Sequence, residues 1–146
     1  MSLSFQSKLG INEFSRFYCV FLGDDLIGSV QGSVNDKNIL CLVVHVDPEH
    51  QKKGFGFEMF EKVFLELNDL RPINTIAASW SADEEFAYPP DYMSSNLKMY
   101  WECYNDTESK DCVFMTATGK WAKKLGFTNY QKLRVSREEV TVEFIR

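Results

Sequence analysis

The segment QKKGFG, residues 51–56, places two lysines and two glycines at the start of an amphipathic stretch. It follows the apolar run 39–46 and a short polar turn, so a strand, a glycine-bearing turn and a helix start succeed one another. A helix start has backbone N–H groups without intrahelical acceptors and carries the positive end of the helix dipole. Glycines let a phosphate approach such a backbone closely, although they would also suit a plain tight turn. We therefore predict an anion site for a phosphorylated cofactor.

Hydrophobic periodicity predicts the elements that position this loop. Three β-rich runs separated by polar turns predict an antiparallel meander, and apolar side chains at three- and four-residue spacing predict helices. Strands 39–46 and 73–80 flank the first helix, and a strand–helix–strand unit of this kind forms a parallel pair. The predicted strands are residues 17–22, 26–34, 39–46, 73–80, 127–135 and 140–145, and the predicted helices are residues 55–70 and 116–125.

The predicted fold class is mixed α/β, with a mostly antiparallel sheet, one central parallel strand pair and flanking helices. A run as apolar as 39–46 indicates a strand that is covered on both faces. Only about fifteen residues precede the first predicted strand. At 146 residues the chain is predicted to be one domain, residues 1–146, with an insertion at about residues 81–115.

The wider pattern around the loop couples Pro48, Gln51 and two basic residues to both glycines. It resembles the Gln/Arg-x-x-Gly-x-Gly/Ala signature of GNAT-type N-acetyltransferases. The resemblance implies a compact GNAT-like fold, with the family's early helices shortened or absent, and acetyl-coenzyme A (acetyl-CoA) as cofactor. In such enzymes the loop amides hold the pyrophosphate, and exposed backbone of the preceding strand binds the pantetheine arm. The cofactor-binding residues implied here are Val44, Val46, Gln51, Lys52, Lys53, Gly54, Phe55, Gly56 and Phe57.

The family's catalytic residues cannot be transferred directly. The run 123–127 resembles the lysine-leucine-glycine-phenylalanine ending of the family's later helix. However, Ala122 stands where a tyrosine often protonates the leaving thiolate, and Met115 stands where an asparagine is expected. Leu40 and Leu42 occupy the places where some members carry an acidic or histidine base.

Acyl transfer to an amine still needs a base for the ammonium proton and a donor for the oxyanion. The backbone N–H of Val46 is the predicted oxyanion donor. The acidic residues 83–85 should follow the strand 73–80, and among them Glu84 is the candidate base; a solvated loop cluster is the alternative. Tyr100 is the candidate general acid.

The insertion 81–115 is longer than the loop that this fold needs, and it mixes aromatic with acidic residues. Aromatic faces and carboxylates suit a cationic amine through cation–π contact and charge pairing. We therefore predict an acceptor-binding lid. The alternative is that the aromatic side chains pack the insertion onto the sheet.

Composition excludes other classes of protein. A net charge of −5 argues against a nucleic-acid binder, which needs a clustered basic surface. No apolar run is long enough for a membrane helix and no signal sequence is recognised, so a cytoplasmic protein is expected. The four cysteines have no Cys-x-x-Cys spacing and the two histidines are not spaced as a metal pair. We therefore predict reduced thiols and no metal site.

The predicted function is N-acetyl transfer from acetyl-CoA to a primary amine, by direct transfer in a ternary complex. The acceptor is expected to be a small cationic amine or a protein amine. One alternative is a catalytically inactive GNAT-fold module that binds or regulates, and another is an interaction domain without the cofactor. A homodimer through the C-terminal hairpin is also expected.

Overall fold

The computed structural model describes residues 2–10, 12–81 and 95–146. The chain separates into two compact units, Met1–Asn74 and Thr75–Arg146. In the described residues no helix is both long and apolar enough to cross a membrane.

The first unit is a four-stranded antiparallel sheet with one helix. Its strands pair in chain order, each with the next. The elements are β1 (Leu3–Lys8), β2 (Ser15–Leu22), β3 (Asp25–Val34), β4 (Ile39–Val46), a 3₁₀ turn (Pro48–His50) and α1 (Phe55–Leu70). The bounds predicted for β4 and α1 are confirmed, and those for β2 and β3 differ by one or two residues.

Strand β1 was not predicted from the sequence. Its first residues alternate between half-buried and exposed, with Leu3 and Phe5 turned inward, and it pairs with β2 from Leu3–Leu22 to Lys8–Phe17. The segment preceding β2 therefore extends the sheet, and the part of it that the structure describes contains no helix.

Helix α1 packs its apolar stripe on one face of this sheet. The stripe is fully or almost fully buried and consists of Met59, Phe60, Val63, Phe64 and Leu67. On β3, a Cβ atom added to Gly32 would come within 3.0 Å of the Val63 side chain. The helix and the sheet are therefore in close contact, and the core of this unit lies between them.

The prediction that β4 is covered on both faces is wrong. Leu40 is buried, but Cys41 is exposed and Val43 is 52% exposed. Successive side chains of a strand point to opposite faces, so Leu40 lies on the face towards α1 and the two exposed residues lie on the other. The apolar run 39–46 therefore includes a hydrophobic side chain, Val43, that is not buried.

The second unit combines three antiparallel strands with two helices. Strand β7 lies between β5 and β6 and pairs with both. The elements are β5 (Thr75–Ser81), α2 (Ser95–Thr107), a 3₁₀ turn (Lys110–Met115), α3 (Ala117–Lys124), β6 (Asn129–Val135) and β7 (Glu139–Ile145). The second predicted helix and the C-terminal hairpin are confirmed with bounds shifted by one or two residues.

The prediction of reduced thiols is also wrong, because Cys103 and Cys112 form a disulfide. Its two cysteines are nine residues apart, and the bridge ties α2 to the 3₁₀ turn that follows. Cys19 and Cys41 are not part of this disulfide. The fold class predicted from the sequence, a mixed α/β fold with mostly antiparallel strands and flanking helices, is confirmed.

Candidate functional site

The loop predicted to bind the cofactor joins β4 to α1 within the first unit. Backbone hydrogen bonds fix its beginning: the Asp47 N–H donates to the Ile27 carbonyl at 2.8 Å, and the His50 N–H donates to the Asp47 carbonyl at 2.9 Å. Residues 51–54 that follow are all exposed. The strand end is therefore anchored and the glycine turn is accessible from solvent.

Gln51 braces this turn. Its side-chain amide donates a hydrogen bond of 2.8 Å to the carbonyl of Val46, and its backbone N–H donates to the carbonyl of Pro48 at 3.3 Å. The first bond holds the loop against the last residue of β4, and the second closes the 3₁₀ turn. In this structure the contribution of Gln51 to the predicted site is to shape the loop.

Two loop residues adopt left-handed backbone conformations. Lys52 has φ 62° and Gly54 has φ 85°. A Cβ atom added to Gly54 would have no heavy atom within 4 Å, so the backbone angle favours glycine there while the space above it is open. Left-handed residues in a turn can direct successive N–H groups towards one point, which suits an anion.

Helix α1 begins directly after this turn, with Gly54 as its N-cap. The Glu58 N–H donates to the Gly54 carbonyl at 3.3 Å and closes the first helical turn. Amides that precede such a bond are not used by the helix, and the positive dipole end lies among them. The exposed side chains of Lys52 and Lys53 add positive charge beside it. The geometry therefore fits the predicted anion site.

Strand β4 presents Val44 and Val46, the residues expected to bind the pantetheine arm, half-buried opposite Val30 and Gly28 of β3. Sequence reasoning missed Gly28. A Cβ atom at this position would clash with the carbonyl oxygen of His45, so glycine is what allows β3 and β4 to approach here. An isolated glycine inside a strand pattern is the sequence signal for such an approach.

A polar cluster between β2 and α1 was also missed. Glu66 accepts hydrogen bonds from the Tyr18 hydroxyl at 2.5 Å and from the Arg16 Nε at 3.1 Å, and its other oxygen pairs with Lys62 Nζ at 3.0 Å. The Lys62 ammonium also lies 5.0 Å from the centre of the Phe5 ring. The sequence does not reveal this cluster, because residue spacing does not show contacts between residues 48 and 50 positions apart.

The pKa values of Tyr18 and Glu66 in this cluster are shifted in opposite directions. Burial, followed by the hydrogen bond to Glu66 and its negative charge, raises the pKa of Tyr18 to about 12. Burial alone would raise the pKa of Glu66, but the hydrogen bonds and charges of Tyr18, Lys62 and Arg16 together outweigh it and lower that pKa. Glu66 is therefore held as a carboxylate beside a neutral tyrosine.

Only one of the two predicted catalytic residues lies in the described part of the chain. Glu84 lies outside the described residues. Tyr100 is on α2, fully buried, and its hydroxyl has no hydrogen-bond partner in the described part of the chain. Its ring packs against Trp101 and Tyr104 at centroid distances of 5.5 and 6.0 Å. Burial, with smaller effects of Tyr104 and Tyr130, raises the pKa of Tyr100, so it keeps its proton at neutral pH.

The described part of the predicted lid is helical and partly buried. Residues 95–115 form α2 and the 3₁₀ turn, with Leu97, Tyr100, Cys112 and Val113 buried. The contacts of Tyr100 match the alternative prediction, in which aromatic side chains pack the insertion into the core.

Helix α3 begins with two buried hydrogen bonds. The Thr116 hydroxyl accepts from the Gly119 N–H at 2.9 Å and donates to the Val113 carbonyl at 2.7 Å.

The positions where the family pattern is broken hold apolar groups. Ala122 and Leu40 are fully buried, Leu42 is half-buried and Met115 is 50% exposed. None of these side chains can transfer a proton. The structure thus agrees with the sequence that proton transfer cannot use these positions.

Comparisons with known proteins agree with the fold and the loop. The model of the acetyltransferase (GNAT) family matches residues 3–70, which include β1–β4, the glycine turn and α1. A comparison with curated proteins finds no match.

Similar solved structures extend the likeness over the whole chain. An acetyltransferase from Bacillus subtilis, solved in complex with CoA, is 14% identical with a TM-score of 0.56, over 99% of both chains. A GNAT-family acetyltransferase from Streptococcus pneumoniae is 11% identical with a TM-score of 0.53, over 91% of this chain and 66% of that one. The ribosomal-protein-S18-alanine N-acetyltransferase from Escherichia coli is 15% identical with a TM-score of 0.52, over 92% and 70%.

The fold and the loop define a mixed α/β protein in which a strand, a glycine turn and a helix start are arranged to receive an anion. The match of the family model over residues 3–70 and the shared fold make the chain similar to the GNAT acetyltransferases. At identities of 11–15% the solved structures establish the fold only. The acceptor and the catalytic residues must be argued from this chain.

Proposed function

We propose that this protein transfers an acetyl group from acetyl-CoA to a primary amine by direct transfer in a ternary complex. The observation that carries this proposal is the turn at Lys52 and Gly54, with two left-handed residues at the N-terminus of α1. Such a turn offers unpaired backbone donors and a positive dipole end to a pyrophosphate. Solved relatives in complex with CoA, from Bacillus subtilis and the ribosomal L7/L12 acetyltransferase RimL, support the same cofactor.

The proposed cofactor contacts divide between backbone and side chains. The amides from Lys52 to Phe57 would hold the pyrophosphate, and the exposed lysines 52 and 53 would add favourable charge. The backbone of Val44 and Val46 would bind the pantetheine arm. Gln51 would act indirectly, because its amide already bonds the Val46 carbonyl.

The chemistry requires three proton transfers and one stabilised oxyanion. After the ammonium acceptor loses a proton to a base, its nitrogen attacks the thioester carbonyl, and the oxyanion is stabilised by a backbone N–H, for which we propose Val46. The nitrogen of the intermediate then loses its second proton to solvent, the intermediate collapses as the C–S bond breaks, and the CoA thiolate takes a proton. We propose Glu84 as the base and Tyr100 as the acid that supplies this proton.

The role of Tyr100 can be separated from its place in the core by Tyr100→Phe, which removes the hydroxyl and keeps the ring. If Tyr100 is the acid, kcat should fall by about 10²-fold or more while the affinity for acetyl-CoA stays unchanged. An unchanged kcat would show that Tyr100 only packs.

A cationic amine is the proposed acceptor, because the chain carries a net charge of −5, with 21 acidic residues against 16 lysines and arginines. A protein amine remains within the proposal, since one solved relative is named for acetylating an alanine of a ribosomal protein. A homodimer through the C-terminal hairpin, a single functional domain over residues 1–146 and a cytoplasmic location stay predictions. Size-exclusion chromatography with light scattering would test the dimer.

The first test is calorimetric titration with acetyl-CoA, with dephospho-CoA and ATP as comparison ligands. Tighter binding of acetyl-CoA and dephospho-CoA than of ATP, which lacks the pantetheine arm, supports the pocket, whereas no binding to any of the three would contradict the proposal. CoA release with a panel of cationic and neutral amines then tests the acceptor.

The second candidate function is a GNAT-fold module that binds without catalysis. It is favoured by the apolar groups at Ala122, Met115, Leu40 and Leu42, where the family's proton-transfer residues would stand. The two candidates differ in turnover: sustained CoA release that is lost in a folded, cofactor-deficient Gly54 variant would exclude the module.

A further inference from the structure

The 3₁₀ turn between β4 and α1 gathers three side chains that can ligate a metal ion. One carboxylate oxygen each of Asp47 and Glu49 and one ring nitrogen of His50 all lie within 4.8 Å of one another. The backbone of the turn is fixed at both ends by the hydrogen bonds of Asp47 and His50 described above. Residues so close in sequence therefore present their ligand atoms to one small volume.

The imidazole of His50 gives an independent reason to expect a ligand. Its Nδ1 atom is shielded from solvent and has no hydrogen-bond partner among the described residues. It lies 3.8 Å from Glu49 Oε1, which is too long for a hydrogen bond. A shielded polar atom without a partner is unfavourable, and a metal ion would use the lone pair of this nitrogen.

The separations fit coordination after small side-chain movements. Two ligands held by one ion at about 2.1 Å lie about 3.0–3.5 Å from each other. The 3.8 Å between His50 Nδ1 and Glu49 Oε1 is close to that range. The side chains of Glu49 and Asp47 are 78% and 39% exposed, so both can rotate without disturbing the core.

A further contact orients one of the carboxylates. His45 Nε2 lies 3.3 Å from Asp47 Oδ1, and a carboxylate has a second oxygen that remains for a metal ion. Outer partners of this kind fix the orientation of metal ligands and strengthen binding.

We propose that Asp47, Glu49 and His50 form a site for a divalent transition-metal ion. One imidazole and two carboxylates suit Mn²⁺, Co²⁺ or Zn²⁺, and the imidazole disfavours Ca²⁺ and Mg²⁺, which take oxygen ligands. The two carboxylates balance the charge of the ion. Three protein ligands leave coordination positions open to water or a small anion. The proposal does not rest on acetyl-CoA binding, because none of its three ligands is among the residues proposed to contact the cofactor.

The test is calorimetric titration of the full chain with Co²⁺, together with the visible and near-ultraviolet absorption of the bound ion. We expect one Co²⁺ per chain, with affinity reduced at least about tenfold in Glu49→Gln and in His50→Gln. The matched control is Asp36→Asn, which removes an exposed carboxylate in the β3–β4 turn and should bind as the wild type does. Circular dichroism checks that each variant is folded.

Three results would overturn the proposal. The first is no Co²⁺ binding below about 1 mM, which corresponds to about 4 kcal/mol of binding free energy. The second is equal affinity in the wild type and the folded Glu49→Gln variant. The third is a thiolate-to-metal charge-transfer band, which would place the ion on a cysteine outside the disulfide, Cys19 or Cys41.

Discussion

Replacing Gly54 with alanine tests the cofactor loop, because the structure separates its effect on the fold from its effect on a ligand. Gly54 has φ 85°, and alanine in a left-handed conformation costs about 1–2 kcal/mol. A Cβ atom there meets no heavy atom within 4 Å, so no steric clash with the protein adds to this cost. We expect Gly54→Ala to remain folded, with its free energy of unfolding lowered by about 1–2 kcal/mol.

The same Cβ atom would stand where a pyrophosphate must approach the amides. Loss of one charge-assisted hydrogen bond costs about 1.5–3 kcal/mol, and each 1.4 kcal/mol changes a dissociation constant tenfold. The Kd for acetyl-CoA should therefore rise by about 10- to 100-fold, and the Kd for dephospho-CoA, which retains the pyrophosphate, should rise by a similar factor.

The matched control is Gly23→Ala in the β2–β3 turn, where φ is 63° and the residue is exposed. It should lose a similar amount of stability without any change in acetyl-CoA affinity. Calorimetry measures both Kd values, and urea denaturation followed by circular dichroism measures both stabilities. Wild-type affinity in folded Gly54→Ala, or an equal loss of affinity in both variants, would refute the assignment of the loop.

Three further variants and one titration have expected outcomes. Because the pKa of Glu66 is lowered in the folded state, the stability that its carboxylate contributes is fully present above the ordinary carboxyl pKa of 4.5 and is lost as the pH falls through the lower folded pKa. The Glu66→Gln substitution should therefore lower the free energy of unfolding by about 1–2 kcal/mol at pH 7 and by less at pH 3. Tyr18, with a pKa of about 12, should ionise above the ordinary tyrosine pKa of 10 in an ultraviolet titration, and the stability it contributes should be lost between about pH 10 and 12. Gly28→Ala should lower the free energy of unfolding by about 1–3 kcal/mol, because the new Cβ atom clashes with the His45 carbonyl. Cys103→Ser should lower it by about 2–3 kcal/mol, because the cross-link between residues nine positions apart is lost. Urea denaturation measures both effects.

Each of these expectations can fail in a defined way. A Glu66→Gln variant whose deficit is the same at pH 3 and pH 7 would contradict the carboxylate pairing, for which Glu61→Gln on the same helix is the control. Ionisation of every tyrosine near pH 10 would contradict the shift at Tyr18. Wild-type stability of Gly28→Ala would mean that the two strands can separate without cost, and wild-type stability of Cys103→Ser would mean that the bridge does not stabilise its unit.

Some parts of the fold were predictable because local patterns decide them. Helix α1 was predicted with its observed bounds, since its apolar residues recur at helical spacing and a glycine turn and Arg71-Pro72 limit it. Strand β4 was likewise bounded by polar turns. Its burial was not predictable, because an apolar sequence does not reveal which face a helix will cover.

Other parts depend on contacts that sequence spacing does not show. Strand β1 has mixed composition and exists through pairing with β2. Helix α2 lies in a stretch rich in aromatic and acidic residues, which suggested a binding lid, whereas Tyr100 points into the core. The disulfide required α2 and the following turn to bring two cysteines together, and neither element had been predicted.

The candidate site was likewise only partly predictable from the sequence. The glycines were predicted from their order behind a strand, but the left-handed φ of Lys52 was not, because lysine has no preference for that conformation. The brace from Gln51 to the Val46 carbonyl follows from the geometry of the turn rather than from residue type. Glycine spacing thus locates such a loop, and its hydrogen bonds show how it is held.

The disulfide makes the oxidation state of a preparation an experimental variable. Its cross-link lies entirely between residues 103 and 112, whereas the glycine turn lies at residues 51–56, in the other compact unit. A reductant therefore acts directly on the C-terminal unit and leaves the covalent structure of the cofactor loop unchanged. Samples purified with and without reductant should bind acetyl-CoA through the same loop yet differ in the stability of their C-terminal halves, so activities measured on the two should be compared only at a stated redox state.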